Sequence, residues 1–140
     1  MYVVSPKIPS FLNHKNVIHV GPQSFATVKQ LMLKSKIVIN VLSKFSRGSH
    51  ERLWYSMAAG CAVAADQSLY LERYFVDKQS ILTIPWGSDQ RQFQDELRQS
   101  INRPTILESI VHNNAPIYRN NHTWHQRVVP LVELLRQFTS

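Results

Sequence analysis

One stretch of the chain, from Ser43 to Asp66, constrains the fold more than any other. It reads SKFSRGSHERLWYSMAAGCAVAAD. Between positions 50 and 59, apolar residues recur with the spacing of one helix face, at Leu53, Trp54, Met57 and Ala58. This periodicity predicts a helix that follows a polar loop.

The end of this stretch predicts a turn and a buried strand. Gly60 stands where a helix needs a left-handed closing residue. Residues 61–65 form a short, continuous run of small apolar side chains, which is typical of a strand covered on both faces. Asp66 is therefore expected at the carboxyl end of that strand.

The loop before this helix is a candidate anion site. Residues 36–43, KIVINVLS, predict another buried strand, and ligands of open parallel sheets bind beyond the carboxyl ends of the strands. A helix start offers free backbone N–H groups to a phosphate, and Arg47, His50 and Arg52 add positive charge there. The local residues alone favour an ordinary helix start with solvated side chains, and they leave the phosphate site open.

Strands and helices alternate along the rest of the chain. Apolar runs bounded by turn residues predict further strands at 2–5, 16–21 and 80–84. Capping residues and helical periodicity predict helices that start after Ser24, Ser88 and Thr123, another at Pro104, and a short one at 69–76. This order predicts an α/β, Rossmann-like three-layer domain, with a parallel sheet, helices on both faces and a C-terminal helical tail.

Each longer helix carries an apolar stripe that predicts its packing face. The stripes are Phe25, Val28, Met32 and Ser35; Phe93, Leu97 and Ile101; Leu107, Ile110 and Val111; and Trp124, Val128, Leu131, Leu135 and Phe138. Pro130 lies inside the last helix and predicts a kink.

Composition limits the classes of partner. The 140 residues suit one domain, and the net charge of +7 favours anionic partners such as a nucleotide diphosphate, an anionic membrane surface or nucleic acid. The basic residues are scattered and form no nucleic-acid motif, so no nucleic acid is expected. The single Cys61 excludes a disulfide framework and agrees with a reducing cytoplasm. No apolar run approaches the length of a membrane span, and the N-terminal apolar stretch is too short for a secretory signal.

Four segments together resemble the glycosyl transferases group 1 family, in its CgeB-like branch. They are HERLWYSMAAG, CAVAAD, SLYLERYFVDKQSILTIP from Ser68 to Pro85, and HTWHQR from His122 to Arg127. Each motif is moderately specific, but all four occur in the family's order and spacing. The resemblance runs from about Asn16 to about Leu135.

The resemblance implies a GT-B architecture, in which two Rossmann-like domains face a cleft and the C-terminal one holds a nucleotide-diphospho-sugar. Residues 1–140 resemble that C-terminal, donor-binding domain without the N-terminal acceptor domain. Either this is an excised domain or the partner domain is on another chain. A glycosyltransferase of this kind transfers the sugar to an acceptor hydroxyl, and we expect this half to be inactive alone. No cofactor or metal is expected. The resemblance agrees with a cytoplasmic protein, in which a peripheral contact with the membrane stays open.

Residue by residue, the resemblance implies a donor-binding set. Gly21, at a strand end, matches a glycine that lies close to the nucleotide base; an ordinary strand-to-helix turn is the alternative. The run Gly48, Ser49, His50, Glu51 and Arg52 matches the loop and helix start on the diphosphate side, where the backbone amides of 49–52 would hold phosphate. Asp66 and Glu72 match carboxylates that face the sugar or the ribose, although Glu72 could simply pair with a neighbouring base.

The chain departs from the family pattern at two positions. Many group 1 enzymes carry two glutamates eight positions apart, whose second member accepts bonds from the ribose hydroxyls. Arg47 and Tyr55 occupy these positions here. Ribose contact would then need another residue, such as Glu51, and the departure leaves open a non-catalytic module that binds a nucleotide or a partner protein. Trp54, Met57, His122, Trp124 and Arg127 are interpreted as structural residues.

Overall fold

A computed structural model describes residues 1–4, 6–7, 10, 15–41, 47–85, 87 and 90–138. The chain divides into two compact units, Met1–Ser35 and Lys36–Ser140, and each is described by itself. The assignment of all 140 residues to one domain stays a prediction. The predicted cap Ser88 and the predicted strand residues 42 and 43 lie outside the described residues.

The first unit contains a pair of short parallel strands and one helix. Strand β1 (Tyr2–Val3) pairs with β2 (Ile18–His19), and helix α1 spans Phe25–Leu33. The Ser24 hydroxyl caps α1 by accepting the backbone N–H of Thr27, as predicted. The predicted packing face of α1 is wrong at Phe25, whose side chain is 59% exposed, whereas Met32 is buried.

The second unit is an α/β arrangement. Its elements in chain order are β3 (Ile37–Asn40), α2 (Glu51–Ala58), β4 (Ala62–Asp66), a single 3-10 turn (Leu71–Arg73), β5 (Leu82–Ile84), α3 (Gln90–Asn102), α4 (Pro104–Asn121) and α5 (Trp124–Gln137). All its strands are parallel, in the order β3-β4-β5. The described strands form parallel sheets, β1-β2 in the first unit and β3-β4-β5 in the second, and the predicted α/β class is confirmed.

The strand β4 is the centre of the three-stranded sheet. Ala64 of β4 lies opposite Ile39 of β3 and Leu82 of β5. Its residues from Ala62 to Ala65 are buried, as the run of small side chains predicts. The prediction of full burial is wrong for β3, where Ile39 is 41% exposed, because β3 pairs only with β4 in the described part of the chain.

Apolar clusters cover both faces of this sheet, as predicted. The cluster on the α2 face contains Leu53, Trp54, Met57, Val63, Ala65, Leu71, Phe75 and Ile81. The cluster on the other face contains Ala62, Ala64, Leu82, Leu107 and Ile110, with Phe93 and Leu97 of α3 packed against it. Alternate residues of β4 thus anchor opposite layers, which fixes the register of the strand.

The turn from α2 into β4 agrees with its sequence signals. Helix α2 ends at Ala58, and Gly60 takes a φ of 76°. This is the left-handed conformation that a side chain with a Cβ adopts only at a cost. Cys61 follows and is fully buried, and this burial raises the pKa of its thiol. The buried thiol stays protonated at neutral pH.

Two predictions for the segments after β4 are wrong. The helix predicted over 69–76 is only the turn Leu71–Arg73, because the chain bends back to bury Leu71 and Phe75 together. In α3, Phe93 and Leu97 face the sheet, but Ile101 is 50% exposed and Ser100 is buried instead. The apolar stripe of α3 therefore ends one turn earlier than its periodicity predicts.

Helix α5 starts as predicted but does not pack as predicted. The Thr123 hydroxyl accepts the backbone N–H of Gln126 at 3.3 Å and caps the helix. None of the residues of α5 is buried. Trp124 is 64% exposed and Phe138, which follows the helix, 79%, so the predicted apolar face of this helix is open in the described residues. No helix in the described ranges is long and apolar enough to cross a membrane.

Candidate functional site

The candidate site begins at the start of α2, in the loop that leads from β3. His50 is the N-cap, and its Nδ1 accepts the backbone N–H of Arg52 at 3.1 Å. The side chains of Arg47 and Arg52 are exposed beside this helix start. The positive end of the helix dipole and two guanidinium groups therefore lie in one short segment.

The backbone donors at this helix start are partly used. Because the ring of His50 already accepts the Arg52 amide, the predicted set of phosphate-holding amides narrows to Ser49, His50 and Glu51. Among the described residues, no group accepts a hydrogen bond from these three amides. Such unpaired N–H groups at a helix start are the donors that bind phosphate oxygens in other proteins.

Two hydrogen bonds from outside the loop hold its glycine and its serine. The indole Nε1–H of Trp54 donates to Ser49 Oγ at 3.1 Å. The Ser68 hydroxyl, which is buried, donates to the carbonyl oxygen of Gly48 at 3.1 Å. Sequence reasoning missed Ser68, although its position two residues after the strand-end Asp66 places it at the same edge of the sheet.

A cavity of about 330 Å³ opens at the carboxyl ends of β4 and β5. Asp66 and Glu72, both predicted site residues, line it together, and Gln67 Nε2 donates to Glu72 Oε1 at 3.2 Å. The cavity is lined by Ala65, Asp66, Gln67, Ser68, Leu71, Glu72, Phe75, Asp77, Lys78, Ile81, Thr83, Pro85, Gln92, Phe93 and Glu96. In this set, Asp66 and Glu72 are the predicted site residues, and the others were not predicted.

The charge of this cavity is mainly negative. Lys78 Nζ lies 2.8 Å from Glu96 Oε1, and this hydrogen bond lowers the pKa of Glu96 and raises the pKa of Lys78. Asp77 Oδ1 accepts the backbone N–H of Thr83 at 2.8 Å. With Asp66 and Glu72, the lining carries four carboxyl groups against one lysine, which suits hydroxyl-bearing groups better than anions.

The remaining predicted site residues are more dispersed. Gly21, with a φ of 65°, belongs to the first unit and is described within that unit alone. Tyr55 is half-buried on α2, and Glu51 is exposed in the first turn of the same helix. Within the described ranges, no group of three or more His, Cys, Asp or Glu side chains could hold a metal ion.

An aromatic cluster behind the loop involves the C-terminal signature. The ring of His122 stacks on the indole of Trp54, with 3.9 Å between centroids and 17° between planes. The Arg127 guanidinium lies 5.1 Å from the indole centroid, and Tyr74 meets His122 edge-on at 4.6 Å. These contacts and the burial of Met57 confirm the structural interpretation, except for Trp124, which is exposed.

His122 is held in its neutral form in this cluster. Burial, together with the positive charge of Arg127, lowers the pKa of His122 from 6.5 to about 4. Arg127 Nη2 lies 3.4 Å from His122 Nδ1, and since a guanidinium only donates, Nδ1 is the acceptor. The proton of the neutral ring is therefore on Nε2, which has no hydrogen-bond partner in the described part of the chain.

The fold and the site define a class of protein. A parallel sheet with helices on both faces, an anion-suited helix start and a cavity at the strand ends are features of nucleotide-binding α/β proteins. The family model described as glycosyl transferase-like matches residues 3–133. The chain therefore belongs to the glycosyl transferase-like family.

Solved structures share this fold, which is that of GT-B glycosyltransferases. HepE from Anabaena, in complex with UDP-glucose, is 15% identical with a TM-score of 0.73, over 89% of this chain and 33% of HepE. Sucrose-phosphate synthase from Thermosynechococcus elongatus is 15% identical with a TM-score of 0.73, over 88% of this chain and 30% of that enzyme. The C-terminal domain of the glycosyl transferase group 1 family protein LpcC from Francisella tularensis is 20% identical with a TM-score of 0.64, over 79% of this chain and 55% of that domain.

The chain spans 33% of the first of these structures and 30% of the second. No curated protein matches the chain.

Proposed function

We propose that this chain is the donor-binding domain of a glycosyltransferase of the group 1 type, in its CgeB-like branch. It binds a nucleotide-diphospho-sugar, whose sugar is transferred to an acceptor hydroxyl. A second domain, on the same polypeptide or on a partner, supplies the acceptor site. The family match, and the UDP and UDP-glucose bound to HepE, support a nucleotide sugar as the donor.

One observation carries this proposal: the helix start and the cavity are neighbours. Ser68 lines the cavity, and its hydroxyl donates to Gly48 in the loop before α2. A diphosphate bound by the backbone amides of Ser49, His50 and Glu51 would thus lie beside a cavity whose carboxyl groups suit the hydroxyl groups of a sugar. The sugar belongs in the cavity, where Asp66 and Glu72 accept its hydroxyl protons in hydrogen bonds.

The protein's contribution to the reaction is electrostatic and positional. As the bond from the sugar to the diphosphate breaks, negative charge grows on the leaving diphosphate. The free amides and Arg52 stabilise this charge, since charge-assisted hydrogen bonds are stronger than neutral ones. Because the proposed acceptor site belongs to the second domain, we expect this domain by itself to bind the donor without transferring the sugar. Metal independence stays a prediction.

Calorimetric titration with UDP and with pyrophosphate tests the proposal. Wild type should bind both ligands, and Arg52→Ala should weaken both by about 1.5–3 kcal/mol, the usual range for bonds to a charged group. Arg91→Ala removes an exposed arginine from α3 and is the matched control for the loss of one positive charge. If wild type binds neither ligand, or Arg52→Ala and Arg91→Ala behave alike, the assignment of the diphosphate to this helix start is wrong.

The nucleoside contact is tested by comparing the two ligands in further variants. Glu51→Ala and Tyr55→Phe should leave pyrophosphate binding unchanged, and whichever residue holds the ribose should weaken UDP binding when it is changed. Equal loss for both ligands would place that residue at the diphosphate instead.

A second candidate function is a binding module without catalysis. It is favoured by Arg47 and Tyr55, which stand where many group 1 enzymes carry glutamates. Incubating this domain, together with the domain that supplies the acceptor site, with UDP-glucose separates the two candidate functions. A glycosyltransferase releases UDP, either by transferring glucose to its acceptor or by slowly hydrolysing the donor. Tight UDP-glucose binding without any turnover would favour the module.

A further inference from the structure

Trp54 connects the loop before α2 with the C-terminal part of the chain. Its side chain is almost fully buried, with 6% of the residue exposed, yet its Nε1–H reaches Ser49 Oγ at 3.1 Å. A buried tryptophan could satisfy this donor with any nearby acceptor. Here the acceptor is a side chain of the loop that carries the candidate phosphate donors.

The other contacts of the indole fix its position. His122, the C-cap residue of α4, stacks on the indole with 3.9 Å between the ring centroids. The guanidinium of Arg127, on α5, lies 5.1 Å from the indole centroid. Phe75 adds a tilted ring contact at 6.0 Å. An indole held by packing and by a cation–π contact has little freedom to rotate, so its N–H points in one direction.

The hydrogen bond from Trp54 also sets what Ser49 can do. Because the Ser49 oxygen accepts the indole N–H, the serine O–H is left to donate elsewhere. In the described ranges this O–H has no acceptor. Gly48, the preceding residue, is held by Ser68 through its carbonyl oxygen. Gly48 and Ser49 are therefore each held by a hydrogen bond from another part of the chain.

We propose that Trp54 is a positioning residue for the candidate diphosphate site at the start of α2. It orients the Ser49 hydroxyl as a donor to a phosphate oxygen, and His122 and Arg127 hold the indole in place. This inference rests on the proposed function, because the phosphate is the ligand of that function. Trp54 itself touches no ligand and acts through Ser49.

A double-mutant cycle with pyrophosphate and UDP tests this role. Trp54→Phe keeps an aromatic ring in the core but removes the N–H donor together with part of the indole, and Ser49→Ala removes the oriented hydroxyl. Each single variant should weaken pyrophosphate binding by about three- to tenfold, the range that one hydrogen bond supplies. The double variant should bind as Ser49→Ala does, because Trp54 acts only through Ser49.

Trp124→Phe is the matched control, since Trp124 is exposed on α5, and its pyrophosphate affinity should equal that of wild type. Effects of Trp54→Phe and Ser49→Ala that simply multiply would overturn the proposal, because Trp54 would then act independently of Ser49. If Trp54→Phe does not fold, Ser49→Ala alone decides: unchanged pyrophosphate affinity overturns the proposal.

Hydrogen exchange of the indole N–H, followed by NMR in the ligand-free protein, separates this inference from the proposed function. The Trp54 indole proton should exchange far more slowly than that of Trp124, and Ser49→Ala should accelerate it. If wild type binds neither UDP nor pyrophosphate, the proposed function fails. An indole proton of Trp54 that exchanges equally in wild type and Ser49→Ala overturns the positioning role, whatever the ligands do.

Discussion

His122 lies parallel to the indole of Trp54, with 17° between the planes and 3.9 Å between the ring centroids. The same histidine is 6% exposed, and Arg127 stands beside it. A protonated ring here would be a buried cation next to another cation. The stack therefore depends on the neutral form of His122.

Stability should fall with acid through this histidine. The unfolded chain protonates His122 near pH 6.5, whereas the folded chain does so only near pH 4. The unfolded state thus binds more protons between these values, so the stabilising contribution is complete above pH 6.5 and is lost as the pH falls to about 4. Its size is roughly 3 kcal/mol, because each unit of the pKa shift is equivalent to about 1.4 kcal/mol.

Urea unfolding between pH 4 and 7 measures this loss. His122→Phe keeps a stacked ring but cannot titrate, so the part of the slope that differs from wild type belongs to His122. His125→Phe, at an exposed position on α5, is the control and should keep the wild-type slope. Identical slopes in wild type and His122→Phe would contradict the prediction.

Asn114→Leu should stabilise the protein by about 1–2 kcal/mol. Asn114 is fully buried on α4, and neither its Oδ1 nor its Nδ2 has a hydrogen-bond partner in the described part of the chain. An unpaired buried amide costs about 1–3 kcal/mol, and leucine keeps the same branched heavy-atom skeleton without that cost. Thermal and urea denaturation report the change.

The neighbouring Asn113 is the control for this substitution. It is exposed, and its Nδ2 donates to the carbonyl oxygen of Gln79 at 2.9 Å. Asn113→Leu should therefore lower stability by about 0.5–1.5 kcal/mol, the net contribution of one hydrogen bond. A lower stability of Asn114→Leu than of wild type would mean that the buried amide is satisfied.

Gly60→Ala should destabilise the protein by about 1–2 kcal/mol, the cost of a left-handed backbone for a residue with a Cβ. Apart from Gly60 and its two chain neighbours, no heavy atom lies within 4 Å of the position that this Cβ would take, so the cost is conformational. Gly60→Val should lose more, because a β-branched side chain is worse there.

Gly48→Ala tests the same change without the left-handed backbone. Its Cβ also meets open space, and the stability of this variant should stay within about 0.5 kcal/mol of wild type. Differential scanning calorimetry compares the two alanine variants. Equal melting temperatures for them would show that Gly60 is not under conformational constraint.

A leucine on α4 and a leucine on α5 test whether these two helices differ in how far they are packed. Leu107 of α4 is 4% exposed, and Leu107→Ala should cost about 2–5 kcal/mol as a core truncation. Leu131 of α5 is 52% exposed, and Leu131→Ala should change stability by less than about 0.5 kcal/mol. A large loss from Leu131→Ala would show that α5 is covered in solution.

Sequence periodicity predicted the elements best where local signals and burial agree. The run from Leu53 to Asp66 forms the predicted helix, left-handed glycine and buried strand, because each of these states is specified by neighbouring residues. The stripes of α1 and α5 were misleading. An amphipathic pattern records which face avoids water, but it does not show whether this chain supplies the covering surface.

The candidate site was predictable only in part. The helix start could be located because caps and charges lie close together in sequence. Ser68 and Gly48, which are hydrogen-bonded, lie 20 residues apart in the sequence. Trp54 and His122, whose rings stack, lie 68 residues apart. No periodicity in a single sequence encodes such pairs, so their discovery required the fold.

The crossover from β3 through α2 to β4 also has a kinetic consequence. Ile37 of β3 pairs with Ala62 of β4, only 25 positions later in the sequence. Closing this parallel pair therefore costs little chain entropy. Pairings that close over few residues form earlier in folding than pairings that close over long segments. Substitutions in β4 should therefore slow folding itself, whereas truncations in α5, none of whose residues is buried, should leave the folding rate unchanged.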